Sequence, residues 1–211
     1  EEKLTLSPPG TWEQFDALAR FFQGRDWDGD GAADHGVALP LGPDAEGLGE
    51  AVFLARAASL GQHRDQYSFL FNAETMAPRI DSPPFVAALE GLVELKESGP
   101  PGLAVFDAEA ARQAFRGGKV AMLIDRAERA ARWGHGKPVG AASLPGSERV
   151  YDPARKQWEA ASPLNDPSYI PSGGGWLLGI NRASEGKQRD AAIDFARYLI
   201  SPDTANRVRA D

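Results

Sequence analysis

Apolar residues recur at helical spacing in several segments of the chain. The first such segment begins at Thr11-Trp12-Glu13-Gln14, a capping box in which the Thr11 hydroxyl and the Gln14 amide satisfy free backbone donors. The apolar positions that follow lie on one helix face: Trp12, Phe15, Leu18, Ala19 and Phe22. Similar patterns and caps predict four more helices, over 46–59, between Asp81 and Gly99, between Asp107 and Gly117, and over 187–200.

Three short apolar runs predict β-strands. They lie at 120–124, 139–144 and 176–180, and each is bounded by glycine, proline or charge. Because helices and strands are interspersed along the chain, the predicted fold class is α/β. Residues 147–175 are rich in proline, serine, aspartate and aromatics, and we expect a long irregular loop there. A loop of that length in a compact domain usually has a function or is mobile.

Composition and charge exclude several classes of protein. The 211 residues include 23 lysines and arginines and 30 aspartates and glutamates, for a net charge of −7. An acidic chain without a basic run is a poor candidate for binding nucleic acid or an anionic membrane surface. No apolar stretch approaches the ~20 residues of a membrane helix, so we expect no membrane span. The absence of cysteine excludes disulfides, thiol nucleophiles and thiolate metal sites, but it does not fix the compartment.

One segment, 26–34, has the spacing of a cation-binding loop. The four carboxylates that can surround a hard cation such as Ca²⁺ are those of Asp26, Asp28, Asp30 and Asp34. Gly31 permits the tight turn, but Val37 occupies the position at which an EF-hand carries a bidentate glutamate. The segment therefore predicts either a structural Ca²⁺ site, completed by water or a distant acid, or a solvated Asp/Gly turn without metal.

The histidines and the glycine-rich segments show no catalytic pattern. The three histidines, His35, His63 and His135, have neither an i, i+4 partner nor zinc-ligand spacing, so we expect them on the surface or in loops. The segments 117–119 and 172–175 precede predicted strands, whereas a phosphate-binding loop follows a strand and opens a helix.

Aromatic residues are frequent in or near predicted loops. These residues are Trp27, Trp133, Tyr151, Trp158, Tyr169 and Trp176. Exposed aromatics in such loops can stack on the apolar face of a sugar, although each can instead fill a local core. We favour Trp176 for stacking, because it follows three glycines and begins a predicted strand.

Six segments, taken in order, resemble one protein family. Segment 9–15 is similar to a Pro-x-Thr-Trp-[Asp/Glu]-[Glu/Gln] helix start, and 28–37 resembles an Asp-Gly-Asp-Gly…Tyr-Gly-[Leu/Phe] turn and strand. Segment 115–122 resembles a Phe-x-x-Gly-[Lys/Glu]-[Val/Ala]-Ala-Met signature. The remaining three are Leu-Pro-Gly at 144–146, Gly-Gly-x-x-[Leu/Trp]-x-Ile at 174–180 and the Ala-Ala…Ser-Pro helix at 191–202. This set of motifs is similar to that of the family 1 extracellular solute-binding proteins, the substrate receptors of bacterial ABC importers.

The resemblance implies a type II periplasmic-binding fold, in which two α/β lobes close on a solute. We expect residues 1–211 to form a single α/β lobe, chiefly the C-terminal one. The expected protein is then a fragment of a two-lobe protein whose N-terminal lobe is largely absent. The family's location implies a periplasmic or extracellular protein, with a lipid anchor through the missing N-terminus left open.

The function that the resemblance implies is capture of a solute, not catalysis, followed by presentation to the ABC permease subunits. The expected solute is a carbohydrate, with an amino acid, a polyamine or a phosphorylated compound left open. The residues expected to line the cleft are Gly175, Trp176, Asp125, Arg126 and Tyr169. In this hypothesis Trp176 stacks on the solute, and Asp125 and Arg126 bind hydroxyls or a charged group.

Two functions from other classes remain as alternatives. A carbohydrate-active enzyme would need a converging pair of acids in a cleft, and the 30 acidic residues do not single out such a pair. A calcium-stabilised interaction or sensor module would instead present a large exposed apolar patch.

Overall fold

Helices and strands are interspersed along the chain in a computed structural model. The structure describes residues 6–43, 46–66, 68–126, 129, 139–166 and 178–204. These residues fall into two compact units, one within Glu1–Ser172 and the other within Gly173–Asp211. The first unit contains, in chain order, α1 (Trp12–Phe22), β1 (His35–Ala38), α2 (Leu48–Gly61), α3 (Pro83–Leu95), α4 (Ala108–Arg116), β2 (Val120–Leu123), β3 (Ser147–Asp152) and β4 (Gln157–Asn165). The second contains α5 (Gly186–Leu199). The α/β class predicted from the sequence is confirmed.

Helix α1 begins at the predicted capping box. The Gln14 backbone N–H donates to Thr11 Oγ1 at 3.2 Å, and the Gly10 N–H donates to Gln14 Oε1 at 2.9 Å. These bonds satisfy donors that have no partner in the first helical turn. The side chains that α1 buries are Trp12, Phe15, Leu18 and Ala19. The apolar face inferred from periodicity is therefore the face that packs into the core.

The parallel strands β1 and β2 lie at the centre of the first unit. Val37 pairs with Met122 in this two-stranded ladder, and His35 pairs with Val120. Gly36 lies so close to the Ala19 carbonyl that any side chain there would collide with the α1 backbone. Helix α1 thus packs directly on β1. The buried apolar cluster around this contact consists of Trp12, Phe15, Ala19, Val37, Leu39, Val52, Ala55, Leu92, Leu95 and Ile124.

A buried ion pair joins α1 to α2. The Arg56 guanidinium donates to both carboxylate oxygens of Asp16 and lies over the Trp12 ring, with 5.3 Å between the guanidinium carbon and the ring centroid. Gly91 of α3 leaves the space that this guanidinium occupies, because a Cβ there would collide with it. The missing side chain of Gly91 therefore lets three helices meet around one charged group.

Strands β3 and β4 form an antiparallel hairpin inside the region for which the sequence predicted an irregular loop, 147–175. Val150 pairs with Glu159 and Asp152 pairs with Gln157. The loop prediction is wrong for 147–165, because residues that suggested a loop are part of this hairpin, where Ser147 and Asp152 are buried. Residues 167–175 lie outside the described residues.

The other strand predictions had mixed outcomes. Segment 120–124 contains β2, whereas 139–144 forms no strand and Val139 is largely exposed. The third predicted strand, 176–180, lies partly outside the described residues, and 178–180 is not in a strand. Among the described helices, none is long and apolar enough to span a bilayer.

Candidate functional site

The carboxyl ends of β1 and β2 place two short segments side by side, 39–41 and 124–126. Helix α2 begins at the same edge, after Glu46 and Gly47. In open α/β sheets, ligands bind outside the carboxyl ends of the strands, where the connecting loops leave a crevice. This edge is therefore the candidate site, and three of the side chains around it are guanidinium groups.

Arg112 of α4 organises the edge. Its Nε donates to Asp125 Oδ2 at 2.7 Å and its Nη2 to Asp125 Oδ1 at 3.0 Å. The same guanidinium donates to both Glu46 carboxylate oxygens at 3.1 Å. Planar, bidentate pairing of this kind fixes orientation as well as charge. Arg112 thus joins the segment that follows β2 to the segment that precedes α2.

The hydrogen bonds of the Asp125 carboxylate are made within the protein. Its side chain is only 1% exposed, and besides Arg112 it accepts the backbone N–H of Arg126 at 2.8 Å. Both oxygens of this buried carboxylate therefore already accept hydrogen bonds from the protein. The predicted contact of Asp125 with a solute stays a prediction, and in this structure its bonds hold Arg112 and the backbone of Arg126.

Glu46 has both an unusual backbone and an altered acidity. Its φ of 57° lies in the left-handed region, which is rare for a residue other than glycine. The hydrogen bonds from Arg112 lower the pKa of the Glu46 carboxyl, and the charges of Arg129 and Arg126 act in the same direction. The side chain remains 38% exposed, so this carboxylate stays charged and accessible at the edge.

Arg126 and Arg129 supply the accessible cations. Arg126 Nη2 donates to the Glu46 backbone carbonyl at 2.8 Å, and Arg129 Nη2 lies 3.4 Å from Glu46 Oε2. Arg126 Nε is buried and has no hydrogen-bond partner among the described residues. Arg126, which the sequence predicted to line a cleft, thus lies at this edge together with Arg129, Arg112 and Glu46, and its contact with a solute stays a prediction.

The aromatic candidates divide into two groups. Trp27 packs edge-on against Phe22 and donates its indole N–H to the Gly118 carbonyl at 3.0 Å, and Tyr151 contacts Trp158 across the hairpin. Of these three aromatics, Trp158 packs against a buried apolar cluster, whereas Trp27 is 38% exposed and Tyr151 borders a cavity. The candidates that lie outside the described residues are Trp133, Tyr169, Gly175 and Trp176, so their roles stay predictions.

The predicted calcium loop encloses a lysine. Lys119 Nζ lies 2.9 Å from Asp28 Oδ2, 2.5 Å from Asp30 Oδ2 and 3.3 Å from Asp34 Oδ1. These carboxylates raise the pKa of the Lys119 amine, and the Lys119 hydrogen bond lowers the pKa of Asp30. Asp34 is fully buried, and Asp26 accepts the backbone N–H groups of the turn instead. Bound Ca²⁺ remains a prediction, and at this position it would compete with an ammonium group.

A cavity of about 810 Å³ lies elsewhere in the first unit. It is bounded by the 66–82 segment and by the turn of the β3–β4 hairpin, near Gly61 at the far end of α2. Because α2 is 14 residues long, its two ends are about 20 Å apart. This cavity therefore lies apart from the edge at the start of α2.

A parallel strand pair flanked by helices, with charged side chains at its carboxyl edge, defines the class of α/β ligand-binding lobes. The chain belongs to the bacterial extracellular solute-binding proteins, since residues 1–209 match that family. The family resemblance inferred from the six motifs is confirmed. The sequence matches no curated protein.

Three solved structures are similar to this chain. An ABC transporter solute-binding protein from Agrobacterium radiobacter K84, in complex with ribitol, is 21% identical with a TM-score of 0.55, over 97% of this chain and 45% of that one. A solute-binding protein from Agrobacterium vitis S4 with bound D-mannitol is 27% identical with a TM-score of 0.45, over 59% and 27%. The maltose/maltodextrin-binding domain MalE from Bdellovibrio bacteriovorus, bound to maltotriose, is 17% identical with a TM-score of 0.47, over 96% and 46%. The chain thus spans less than half the length of each protein, and the first of them shows that it has the fold of a solute-binding protein.

Proposed function

We propose that this protein captures a sugar or polyol for an ABC-type importer and that the edge formed by 39–41, Glu46 and 124–126 contributes one side of the binding cleft. The observation that carries the proposal is the family match over residues 1–209. The ribitol complex of the Agrobacterium radiobacter protein, which shares the fold, supports a polyhydroxylated solute.

The charges at the edge suit hydroxyl groups. Arg126 and Arg129 donate hydrogen bonds, and the exposed carboxylate of Glu46 accepts them. Because a sugar hydroxyl is both donor and acceptor, neighbouring charges of opposite sign can bind adjacent hydroxyls of one ring or chain. Arg112 and Asp125, both buried, hold these groups in place without touching the solute. In this proposal Trp176 adds the stacking surface, with Gly175 and Tyr169 beside it.

The remaining parts of the proposal follow from the family. The protein acts outside the cytoplasm, in the periplasm or at the cell surface through a lipid anchor, and it presents its solute to the permease subunits. It binds without chemical conversion, since capture needs only a difference in affinity between open and closed states. A structural Ca²⁺ in the Asp26–Asp34 loop is a separate proposal, and it requires displacement of the Lys119 amine.

The direct test is an NMR titration of the ¹⁵N-labelled protein with ribitol, D-mannitol and maltotriose, which detects binding up to millimolar dissociation constants. We expect the largest amide shifts at Leu39, Leu41, 46–48 and 124–126. The Arg126→Gln variant is expected to bind roughly 10- to 100-fold more weakly, the usual effect of losing a charged hydrogen bond to a ligand. Arg25→Gln is the matched control, because Arg25 hydrogen-bonds the Phe21 carbonyl away from this edge.

Two results would contradict the proposal. One is a set of shifts confined to the cavity near Gly61, and the other is equal affinity in the Arg126→Gln and wild-type proteins. A comparison of the affinities for glucuronate and glucose then shows whether the protein prefers a solute with a carboxylate group. Tighter binding of the acid would assign Arg126 to a carboxylate group, and equal binding would assign it to hydroxyls.

A further inference from the structure

A histidine and two carboxylates converge at a place that the proposed solute edge does not include. His63, Asp152 and Glu159 each offer a donor atom, and these three atoms lie within 4.8 Å of one another. His63 and Asp152 are buried, whereas the Glu159 side chain is 22% exposed. The sequence predicted a surface or loop position for this histidine, and His63 does lie in the loop after α2, although it is buried there against the hairpin.

The fold brings these residues together from three segments. Helix α2 ends at Gly61, and His63 follows directly after the C-cap residue. In the β3–β4 ladder Val150 pairs with Glu159 and Asp152 pairs with Gln157. Because residues two apart share a face, Asp152 and Glu159 lie diagonally on the same face of the hairpin. That face meets the end of α2, where Asn165 Nδ2 also donates to the Ser59 carbonyl at 2.6 Å.

Both carboxylates are charged at neutral pH. Burial raises the pKa of Asp152, but hydrogen bonds from the backbone N–H groups of Arg155 and Ala154, together with the charges of His63 and Arg155, lower it, and the net shift is downward. The side-chain hydrogen bond from Arg155 lowers the pKa of Glu159, as does the one from Gln157. Two negative charges thus face one imidazole, with Arg155 as their nearest cation.

Arg155 competes with any other cation for these oxygens. Its Nη1 donates to Glu159 Oε1 at 2.9 Å, and its Nε lies 3.7 Å from Asp152 Oδ2. The Arg155 side chain is 69% exposed, whereas the Asp152 and Glu159 side chains are 8% and 22% exposed. A bound metal ion would therefore have to displace Arg155 into solvent and replace it as the counter-ion of these carboxylates.

The imidazole turns one nitrogen toward the carboxylates. Nε2 lies 3.6 Å from Glu159 Oε2, and Nδ1 accepts the Asp65 backbone N–H at 3.2 Å. A metal bound at Nε2 requires the ring proton on Nδ1. That tautomer replaces the bond from the Asp65 N–H, because a protonated Nδ1 donates and cannot accept. The exposed Asp65 carboxylate, whose Oδ2 lies 3.8 Å from Nδ1, would have to move closer to accept a hydrogen bond from the ring N–H, as outer carboxylates do for metal-bound histidines.

We propose that His63, Asp152 and Glu159 form a zinc site. One imidazole nitrogen and two carboxylate oxygens suit Zn²⁺, whereas Ca²⁺ and Mg²⁺ bind oxygen ligands. Tetrahedral Zn²⁺ with bonds of ~2.1 Å places its donors about 3.4 Å apart, so the cluster must contract by about 1.4 Å at most. Three protein ligands leave the fourth position to water at the exposed side of Glu159. Bound zinc would fasten the β3–β4 hairpin to the end of α2.

The test combines calorimetric titration with ZnCl₂ and thermal melting of the full chain after treatment with chelator. The wild-type protein is expected to bind one Zn²⁺ at sub-millimolar concentration and to melt at a higher temperature with zinc, because a ligand of the native state stabilises it. MgCl₂ and CaCl₂ at the same concentration are expected to give a rise in melting temperature that does not depend on His63 or Glu159, since these ions prefer oxygen ligands. The Arg155→Ala variant is expected to bind zinc as tightly as wild type or more tightly.

Variants of the proposed zinc ligands test whether zinc binds at this cluster. His63→Gln and Glu159→Gln are each expected to weaken zinc binding at least tenfold, while His35→Gln, at a histidine bonded to Gln23, is expected to leave it unchanged. Far-UV circular dichroism establishes whether each variant is folded. If His63→Gln does not fold, the Glu159→Gln variant alone tests the site. Equal zinc affinity in folded ligand variants and wild type would overturn the proposal, as would absence of binding below millimolar zinc.

Discussion

Two basic side chains neutralise carboxylate groups that come from distant parts of the sequence. Lys119 lies among Asp28, Asp30 and Asp34, and Arg112 lies between Asp125 and Glu46. Charges gathered so closely are costly unless they are paired. The aspartate spacing in 26–34 is a local signal for a bound cation, and in this structure the cation is an ammonium group of the protein.

Replacing Lys119 tests this assignment. Lys119→Met removes the counter-ion of three carboxylates, so we expect a lower melting temperature at neutral pH. We also expect millimolar Ca²⁺ to raise the melting temperature of the variant more than that of wild type, because Ca²⁺ no longer competes with the amine. Scanning fluorimetry with and without Ca²⁺ measures both effects.

The control for this variant is Lys96→Met. Among the described residues, the ion pair that Lys96 makes is a loose one with Glu97, at 3.7 Å, and both side chains are exposed. Its melting temperature should match that of wild type with or without Ca²⁺. Equal Ca²⁺ shifts in Lys119→Met and wild type would show that the amine does not occupy a calcium position.

Asp125 offers a test of the buried pair. Asp125→Ala leaves the Arg112 guanidinium, whose side chain is 3% exposed, short of a partner. Loss of one member of a buried ion pair typically costs about 3–5 kcal/mol of unfolding free energy. Urea denaturation measures this loss, with Glu97→Ala as an exposed control expected to change by less than about 0.5 kcal/mol. A change in Asp125→Ala as small as that of the control would show that the pair is not important for the fold.

At the scale of elements, the helices follow their local signals closely. All five predicted helices are present, and α1 and α4 begin at the predicted caps Thr11 and Asp107. Strands were harder to predict, because a short apolar run becomes a strand only when a partner strand lies beside it. Segment 120–124 has that partner in β1, and 139–144 has no strand partner among the described residues.

Two helix caps provide a matched pair of variants. Thr11 Oγ1 accepts the Gln14 N–H, whereas the Ser82 side chain makes no capping bond at the start of α3. We expect Thr11→Ala to lower the unfolding free energy by about 1 kcal/mol and Ser82→Ala to have little effect. Chemical denaturation of both variants measures the difference. Equal losses would mean that the Thr11 hydroxyl is not what stabilises α1.

At the scale of the whole molecule, charged groups join segments that would otherwise meet only through apolar contacts. Arg56 and Asp16 connect α1 and α2, Arg112 connects α4 with both sides of the candidate edge, and Arg155 lies on the hairpin carboxylates. The carboxyls whose pKa values are lowered by these and similar contacts are those of Asp30, Glu46, Asp152 and Glu159. Stability should therefore depend on pH on the acid side.

The sign of that dependence follows from the direction of the pKa shifts. A carboxyl with a lowered folded pKa contributes its full stability above the ordinary values, 3.8 for aspartate and 4.5 for glutamate, and loses it as the pH falls through the lower folded pKa. We expect the unfolding free energy to change little from neutral pH to about pH 5 and to fall below about pH 4.5. Urea denaturation across this range measures the fall.

Glu46→Gln isolates one contribution to the pH dependence. The variant should be less stable than wild type at neutral pH. The difference should begin to narrow as the pH falls below about 4.5, and it should vanish below the lowered pKa of the folded Glu46 carboxyl, where the wild-type group is neutral too. A difference that stays the same at low pH would mean that the Arg112 pairing does not depend on the Glu46 charge.

The sequence by itself determined the α/β class, the five helices and the family, because caps, helical periodicity and short motifs involve residues a few positions apart. Only the tertiary structure decided which charges meet. Lys119 is 91 residues from Asp28, Arg112 is 66 from Glu46, and Asn165 is 106 from Ser59. No periodicity of a helix or strand extends over such separations, so these contacts depend on how the chain folds back on itself. For the same reason the cluster of His63, Asp152 and Glu159 could not be recognised from ligand spacing.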